Sequence, residues 1–543
     1  MSEIRPTAAS TQDCIVSGKA RELLAVGQTV AALQLLEQAL SSRQASCDAL
    51  LLLARLQLTC ASPAQALATL DRYLPGYPED GRPLLLRAQI LLLQQHDDEA
   101  CAAFRAAIDK LPNNPTAQLG LATASGRLGR ASDARDAAMT AIELGDHSTA
   151  SHYLLGRALF DLGDYPRAQQ HLRSALELDP THLDTHTALC ELVWMSTGEL
   201  SQASAALDET LRAHPQASTL RAMKAKLLAT AGQPEQALHE AEQALACHPN
   251  DPQLRLTAIN LALPVQPREA LAHALTLMQI APHWPQAQSA QLNACFASGD
   301  IEQAAVLAEQ RLRQQPQDGH ALAILAACWR AQGRTEYRQL YDYRHMIYAS
   351  PLDVPSGWST LDGYLADLRQ ALQQRHVNLS HPLEQTLRGG SQVALDFDQD
   401  SARVIRAFRE AIDGPLRNYL GALGPGDDPL RRRQTGGYRI SGAWSVSLRS
   451  QGHHLNHFHG HGWISSACYI ALPADLANAP PQGWLTFGQP AWQPGQTLPA
   501  EYYLRPVPGL LVLFPSWMWH GTLPFDSPQD QRRLTVAFDV LPA

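Results

Sequence analysis

The 543-residue chain lacks an excess of positive charge: 43 Lys and Arg stand against 52 Asp and Glu, for a formal net charge of −9. Neutralising nucleic-acid phosphates requires a basic face. The one dense basic run, at 431–433, follows the Gly- and Pro-containing stretch 424–429 and is typical of a solvated loop. The charge balance therefore argues against a general nucleic-acid-binding protein.

Paired cysteines and long apolar runs are also missing. The nine cysteines are scattered with no Cys-x-x-Cys pair, which indicates reduced thiols in a cytoplasm. No apolar run reaches the roughly 18 residues of a membrane-spanning helix, and residues 1–6 lack the features of a secretory signal. These absences predict a cytoplasmic protein without a membrane partner, and the length predicts roughly two to four domains.

A repeat of about 34 residues runs through the first part of the chain. Prolines and glycines keep this period independently, and Gly145-Asp146 fills the one vacant proline position. Between these landmarks apolar residues recur at helical spacing, as in 150–163 and 164–178, so each unit is predicted to be a pair of amphipathic helices. The two series are Pro78, Pro112, Pro180, Pro215, Pro249, Pro282 and Pro316, and Gly129, Gly163, Gly198, Gly232, Gly299 and Gly333.

These units resemble tetratricopeptide repeats, through Leu-Gly-x-Tyr at 162–165 followed by Ala168, Ala175 and Pro180. The resemblance covers residues 15–345, roughly eight or nine helix pairs, although the first two units are degenerate and Pro267 departs from the turn pattern. It implies an N-terminal all-α superhelix whose groove binds a protein or peptide partner. A groove that only scaffolds or dimerises the chain is the alternative.

The repeat stops near residue 345, so the remainder, 346–543, is expected to form a second domain. Helices are predicted over 361–375 and 402–423. From Gly437 onward, short β-rich runs alternate with turns, which is typical of a sandwich or barrel. The predicted strands cover 443–448, 466–472, 483–487, 509–514 and 534–540.

Five of the 21 histidines lie within residues 453–461. Histidine is the commonest nitrogen ligand of first-row metals, and alternate residues of a strand point the same way. His457 and His459 are therefore candidates to hold one metal ion from a single face, and His461 continues that face until flanking glycines break the strand. A polar loop without a metal is the alternative.

Two later segments supply further candidate residues for the same site. His520 ends the run Phe514-Pro-Ser-Trp-Met-Trp-His, just after a predicted apolar strand. Arg533 and Thr535 alternate with apolar residues and are predicted to face inward, whereas Arg532 would face outward. A buried guanidinium needs an anion, and its fork suits a carboxylate.

These segments, with Trp444-Ser-Val, 464–470 and the lead-in 381–392, resemble a family of 2-oxoglutarate/iron(II) oxygenases over about residues 375–543. The resemblance implies a double-stranded β-helix (jelly roll) with flanking helices. It also implies catalytic iron(II) ligands and a 2-oxoglutarate site, namely His457, His459 and His520 for the metal and Arg533 with Thr535 for the cofactor.

The chain departs from the family pattern at three positions. The family has a carboxylate ligand where this chain has His459, a Gly where it has Ser466, and a Thr where it has Val393. The first departure removes one negative charge from the site. Whether the site is catalytically active therefore does not follow from the sequence.

The leading hypothesis is a hydroxylase whose repeats capture a protein or peptide. One alternative is an oxygenase of a small molecule, and another is a non-catalytic repeat scaffold with a vestigial oxygenase domain. A third is a cupin-type dioxygenase, also with three histidines, that needs no 2-oxoglutarate. The substrate and the oligomeric state do not follow from the sequence.

Overall fold

The computed structural model describes residues 8–42, 46–60, 62–474, 476, 481–528 and 531–543. The first six residues, where no secretory signal is predicted, lie outside the described residues. The chain forms two compact units, residues 1–189 and 190–543. The predicted domain boundary between residues 345 and 346 stays a prediction.

The first unit consists of helices that pack against their neighbours in the chain. The helices are α1 (Ala8–Ala25), α2 (Thr29–Ser41), α3 (Cys47–Thr59), α4 (Pro63–Tyr73), α5 (Gly81–Leu93), α6 (Asp97–Lys110), α7 (Pro115–Arg127), α8 (Ala131–Glu143), α9 (Thr149–Asp161), α10 (Tyr165–Leu178) and α11 (Leu183–Thr197), the last of which crosses into the second unit. Small residues permit close packing: Ala168 and Ala175 are fully buried, and a Cβ on Gly156 would come within 2.8 Å of Leu172.

The glycine and proline series have distinct roles in the repeat. All six glycines have positive φ, between 69° and 89°, a conformation that a side chain would strain. The prolines from Pro112 onward each lie two positions after the end of a helix, where no helical N–H is needed. The glycines therefore lie in the turn between the two helices of a pair, and the prolines follow the end of the second helix. This arrangement confirms the predicted helix pairs.

The second unit continues the repeats and adds helices around two sheets. Its repeat helices are α12 (Leu200–Ala213), α13 (Ser218–Thr230), α14 (Pro234–Cys247), α15 (Pro252–Ala262), α16 (Pro267–Ile280), α17 (Pro285–Ser298), α18 (Ile301–Gln314) and α19 (Gly319–Ala331). The helices that follow are α20 (Tyr343–Met346), α21 (Leu361–Gln373), α22 (Arg403–Arg406) and α23 (Phe408–Leu423). The helices predicted over 361–375 and 402–423 are present, the second as the two pieces α22 and α23. None of the described helices combines the length and apolarity that crossing a bilayer requires.

The strands form two antiparallel sheets, as a jelly roll requires. They are β1 (Tyr348–Pro351), β2 (Leu387–Ala394), β3 (Tyr438–His454), β4 (Ile464–Ala471), β5 (Leu485–Phe487), β6 (Tyr502–Leu504), β7 (Leu510–Pro515), β8 (His520–Thr522) and β9 (Arg533–Pro542). The larger sheet has the order β1-β7-β4-β9-β3-β2 and the smaller has the order β6-β5-β8. The predicted C-terminal fold class is confirmed, with the five predicted strands at β3, β4, β5, β7 and β9.

The repeats and the sheets of the second unit share one apolar core, in which Phe296 and Leu325 of the repeats join Leu513 and Trp517 of the β domain. The backbone N–H of Trp519 donates to the Tyr341 hydroxyl at 3.0 Å. The segment that leads into His520 is thus anchored on the chain that follows the last repeat.

The chain from residue 379 to 384, which leads into the segment 381–392, is bonded to the repeats. The backbone N–H groups of Leu379 and Ser380 donate to the Met195 carbonyl at 2.8 and 3.1 Å, and Glu384 pairs with Lys226 at 3.0 Å. This segment continues into β2, which the sequence did not predict because it contains two glycines. The register of β2 against β3 shifts there, between Arg388 and Gly390.

Candidate metal centre

The structure brings His457, His459 and His520 together. One nitrogen from each ring lies within 4.8 Å of the other two. The ring centroids are 4.2 Å apart for His457 and His520, 5.2 Å for His457 and His459, and 5.4 Å for His459 and His520. The spacing of these nitrogens suits a single metal ion.

The local backbone differs from the expectation of one continuous strand through the first two histidines. Strand β3 ends at His454, and His457 instead forms an isolated antiparallel bridge with His520. The N–H of each residue donates to the carbonyl of the other at 2.9 Å. This bridge, and not strand alternation alone, holds two candidate ligands face to face.

Hydrogen bonds orient two of the rings from behind. The Nδ1–H of His457 donates to the Leu455 carbonyl at 2.8 Å, and the Nδ1–H of His520 donates to the Met518 carbonyl at 2.9 Å. An imidazole that donates through Nδ1 keeps its lone pair on Nε2. Both rings are therefore held in the tautomer that ligates a metal through Nε2.

His459 is oriented by a carboxylate. Its Nδ1 lies 2.8 and 2.7 Å from the two oxygens of Asp539, and the Ser465 hydroxyl donates to the same carboxylate at 2.7 Å. Asp539 was not evident as a site residue from the sequence, although it shares the inward face of β9 with Arg533 and Thr535 through strand alternation. The negative charge absent at position 459 is thus present one hydrogen bond behind it.

Burial keeps two of the three histidines, His457 and His520, in the neutral form that can bind a metal. Desolvation lowers the pKa of His457 to about 3 and holds the pKa of His520 well below its usual range. Both imidazoles are neutral at physiological pH, and only a neutral imidazole has a lone pair for a metal.

A cavity of about 60 Å³ lies beside the three histidines, between the two sheets. It is lined by Trp444, Val446, His454, His457, His459, Ser466, Ala467, Leu485, Phe514, His520, Gly521, Thr522, Arg533, Thr535 and Ala537. Both predicted cofactor residues, Arg533 and Thr535, face this cavity. Arg532 is exposed, as its position on the opposite face predicts.

Arg533 is a buried cation that forms no ion pair with a carboxylate of the described residues. Its side chain is 2% exposed, its carbon Cζ lies 5.2 Å from the centroid of the Tyr469 ring, and desolvation lowers its pKa. Within the described residues, its Nε has no hydrogen-bond partner. A buried unpaired charge is costly, so this arrangement fits a carboxylate ligand such as an end of 2-oxoglutarate.

The other clustered histidines lie outside the trio. His453 interacts through Nδ1 with the Gln451 carbonyl at 3.1 Å, and His461 is exposed. His454 lines the cavity, 6.0 Å from the His457 ring, and burial holds its pKa well below the usual range. The position of His454 in the cavity was not evident from the sequence, because it depends on where β3 ends.

Two kinds of family model match the chain. The model described as "Putative 2OG-Fe(II) oxygenase" matches residues 442–539, from β3 to Asp539. Two tetratricopeptide-repeat models match residues 23–90 with 159–227, and residues 119–182. Both resemblances seen in the sequence are thereby confirmed.

Among solved structures the chain is similar to tetratricopeptide-repeat proteins. A chain of the APC/C hetero-tetramer Cut9-Hcn1 matches with 16% identity and TM-score 0.32, over 53% of this chain and 57% of that one. A repeat protein from Parabacteroides merdae matches with 15% identity and TM-score 0.36, over 52% and 99%. YrrB, described as a repeat protein with an unusual peptide-binding site, matches with 18% identity and TM-score 0.23, over 41% and 97%. No curated protein matches the chain.

Proposed function

Because the chain carries tetratricopeptide repeats and, at residues 442–539, a domain of the 2OG-Fe(II) oxygenase family, we propose that it is an iron(II)- and 2-oxoglutarate-dependent hydroxylase of a protein or peptide. One observation carries this proposal: three imidazoles converge beside a buried guanidinium that pairs with no carboxylate in the part of the chain that the structure describes. The first feature fits a metal, the second fits an organic acid, and both border one cavity.

His457, His459 and His520 would hold the iron(II). Three neutral nitrogen donors leave further coordination positions for substrates, as in other non-haem iron sites. Asp539 would compensate for the missing carboxylate ligand, since an acceptor behind a metal-bound imidazole raises its basicity.

Arg533 and Thr535 would hold the distal carboxylate of 2-oxoglutarate. When bound, iron(II) and 2-oxoglutarate would let dioxygen hydroxylate a C–H bond: one oxygen atom goes to the substrate and the other to 2-oxoglutarate, which becomes succinate and carbon dioxide. Leu485 and Phe514 line the same cavity and would exclude water from it. The guanidinium supports this reading over a cupin-type dioxygenase, which has no need for an organic-acid anchor.

The repeats would supply the protein or peptide partner, since surfaces of stacked repeats commonly bind such ligands. An oxygenase of a small molecule and a non-catalytic scaffold are the rivals. Affinity capture with the His457→Ala chain, followed by incubation of the captured proteins with the wild-type enzyme, separates the three readings.

A mass increase of one oxygen atom on a captured protein, dependent on iron and 2-oxoglutarate, supports the proposed hydroxylase. Succinate formation without a modified protein favours the small-molecule reading. Failure to bind iron or to form succinate rules out a 2-oxoglutarate-dependent oxygenase.

A cytoplasmic location is part of the proposal. Six cysteines are buried free thiols, namely Cys47, Cys101, Cys190, Cys295, Cys328 and Cys468. Thiols that persist unpaired are typical of a reducing compartment. Fractionation of cells that express the full chain tests this location.

A further inference from the structure

A second and larger cavity, of about 940 Å³, lies in the second unit between the repeats and the segment that carries the metal-binding histidines. This volume is at the upper end of the range of ligand pockets, about 300–1,000 Å³. The repeats contribute Leu256, Asn260, Pro285, Gln286, Ser289, Ala290, Asn293, Arg311, Gln315, Pro316, Gln317, Asp318 and His320, and the β domain contributes Arg432, Arg433, Phe458, Gly460 and His461.

The cavity borders the back of the metal-binding segment. Phe458, between the two candidate ligands in sequence, packs against His320 with ring centroids 5.3 Å apart. A Cβ on Gly319 would lie 2.6 Å from the carbonyl oxygen of Gly460, so the two backbones are in direct contact. An occupant of the cavity would therefore touch the segment that positions His457 and His459.

The charges in the cavity are unbalanced. Three arginines line it against one carboxylate, Asp318, which pairs with Arg311 at 2.6 Å and also accepts from the Ala321 N–H at the start of α19. With Asp318 neutralised in this way, Arg432 and Arg433 remain. No carboxylate of the described residues lies within ion-pair distance of either one.

Arg433 shows the imbalance most clearly. Its Nη1 donates to the Gly462 carbonyl at 2.7 Å, but its Nε is buried and has no hydrogen-bond partner within the described residues. Desolvation lowers the pKa of this guanidinium, since no anion offsets it. A charge-assisted hydrogen bond from an incoming anion would remove this cost.

The remaining lining suits a peptide. Side-chain carboxamides both donate and accept hydrogen bonds, as peptide groups do, and five of them line the cavity: Asn260, Gln286, Asn293, Gln315 and Gln317. Apolar surface lies among them, from Leu256, Pro285, Ala290, Pro316 and Phe458. A small inorganic anion would leave both kinds of surface unused.

We propose that this cavity binds an acidic segment of a protein partner, with carboxylates on Arg432 and Arg433 and peptide groups against the carboxamides. The inference deepens the proposed function by naming the class of partner. Binding of the acidic segment does not depend on the proposed function. Only the further step, in which the bound segment is also the one that is hydroxylated, rests on that function.

The test is fluorescence anisotropy with the full chain and a short labelled peptide of alternating Glu and Ala. The matched probe has Gln in place of each Glu. The Glu peptide should bind, and its affinity should fall as the salt concentration is raised. The Gln peptide should bind at least about tenfold more weakly than the Glu peptide. Arg432 is exposed, so its substitution should leave the fold intact.

The charge reversal Arg432→Glu should weaken binding of the Glu peptide about tenfold. Arg439→Ala is the control, because Arg439 is exposed on β3 and does not line the cavity. Arg433→Gln should weaken binding at least as much, and a thermal melt shows whether this partly buried substitution is folded.

Equal binding of the Glu and Gln peptides overturns the proposal, as does an unchanged affinity in Arg432→Glu. An oligonucleotide that binds as tightly as the Glu peptide, through the same arginine, overturns it as well. Binding is measured without iron or 2-oxoglutarate, so a chain that binds the acidic peptide but forms no succinate contradicts the oxygenase proposal alone.

Discussion

His459 and Asp539 are joined by a short hydrogen bond, with Nδ1 at 2.7 and 2.8 Å from the two carboxylate oxygens. The hydrogen bond connects the histidine segment, which contains His459, to the inward face of β9, which contains Asp539. A carboxylate behind a metal-binding imidazole fixes the ring and raises its basicity. This pairing explains how a site with a histidine in the carboxylate position can retain a negative charge.

Removal of that carboxylate should weaken metal binding. Asp539→Ala is expected to lower iron(II) affinity about 10- to 100-fold, as the loss of such a partner typically does. Asp539→Asn should have a smaller effect, since the amide oxygen still accepts from Nδ1–H but carries no charge. Anaerobic competition with a chelator measures both variants, and Asp427→Asn, at an exposed carboxylate, is the control. Wild-type affinity in Asp539→Ala would rule out this role.

Arg533 should govern the affinity for 2-oxoglutarate and leave the metal in place. Truncation of a buried cation that pairs with a ligand costs about 2 kcal/mol or more, so Arg533→Ala should raise the KM for 2-oxoglutarate by about 30-fold. Arg532→Ala is a matched control, because the neighbouring guanidinium is exposed. Full activity of Arg533→Ala, with no dependence on 2-oxoglutarate, would point to a cupin-type dioxygenase.

The contact between Gly319 and Gly460 should couple the last repeat to the metal site. The added methyl of Gly319→Ala would lie 2.6 Å from the Gly460 oxygen and must displace the segment that carries His459. We expect a loss of about 1–3 kcal/mol of stability, as for other overpacked sites, together with weaker iron binding. In Gly421→Ala the methyl meets no atom within 4 Å, so this change in α23 should be neutral or stabilising. Equal melting temperatures and iron affinities for the two variants would show that the contact is not tight.

Acid should destabilise the second unit before it protonates most carboxylates. Burial lowers the pKa of His320, His376 and His381 to about 4, below the unfolded value of about 6.5. Between these two values the unfolded chain binds more protons than the folded chain, so stability falls as pH falls through this window. Each of these histidines should lower the free energy of unfolding by about 1–2 kcal/mol between pH 7 and about pH 5.

Urea unfolding followed by tryptophan fluorescence at both pH values measures the effect of pH. His376 has both ring nitrogens 2.9 Å from serine hydroxyls, of Ser391 and Ser445, so His376→Gln should make the dependence shallower. A urea midpoint that does not change over this interval would contradict the burial argument.

Much of the fold could be predicted because its patterns are local. The glycines and prolines of the repeat mark helix ends through backbone geometry alone, and their period extends over many units. Strands β3, β4, β7 and β9 carry apolar runs long enough to recognise, and the predicted run 483–487 contains the shorter β5. The strands β6 and β8 span three residues each, too few for a pattern, and β1 spans four.

The candidate site was predictable only in part. The three histidines and Arg533 were recognisable from residue chemistry and strand alternation. The role of Asp539 depends on the approach of β9 to residues 80 positions earlier, which no local pattern reports. The same holds for the larger cavity, whose lining residues extend from Leu256 to His461.

We propose that His457, His459 and His520 form an iron(II) site at which 2-oxoglutarate is converted to succinate. The most direct test is succinate formation by the iron-loaded full chain, measured with iron content for wild type, His520→Ala and His453→Ala. His453 lies in the same histidine cluster but outside the trio. We expect bound iron and succinate formation in wild type and His453→Ala, and loss of both in His520→Ala. Iron binding and turnover that survive in His520→Ala, or a wild-type chain that binds iron and forms no succinate, would contradict the proposed site.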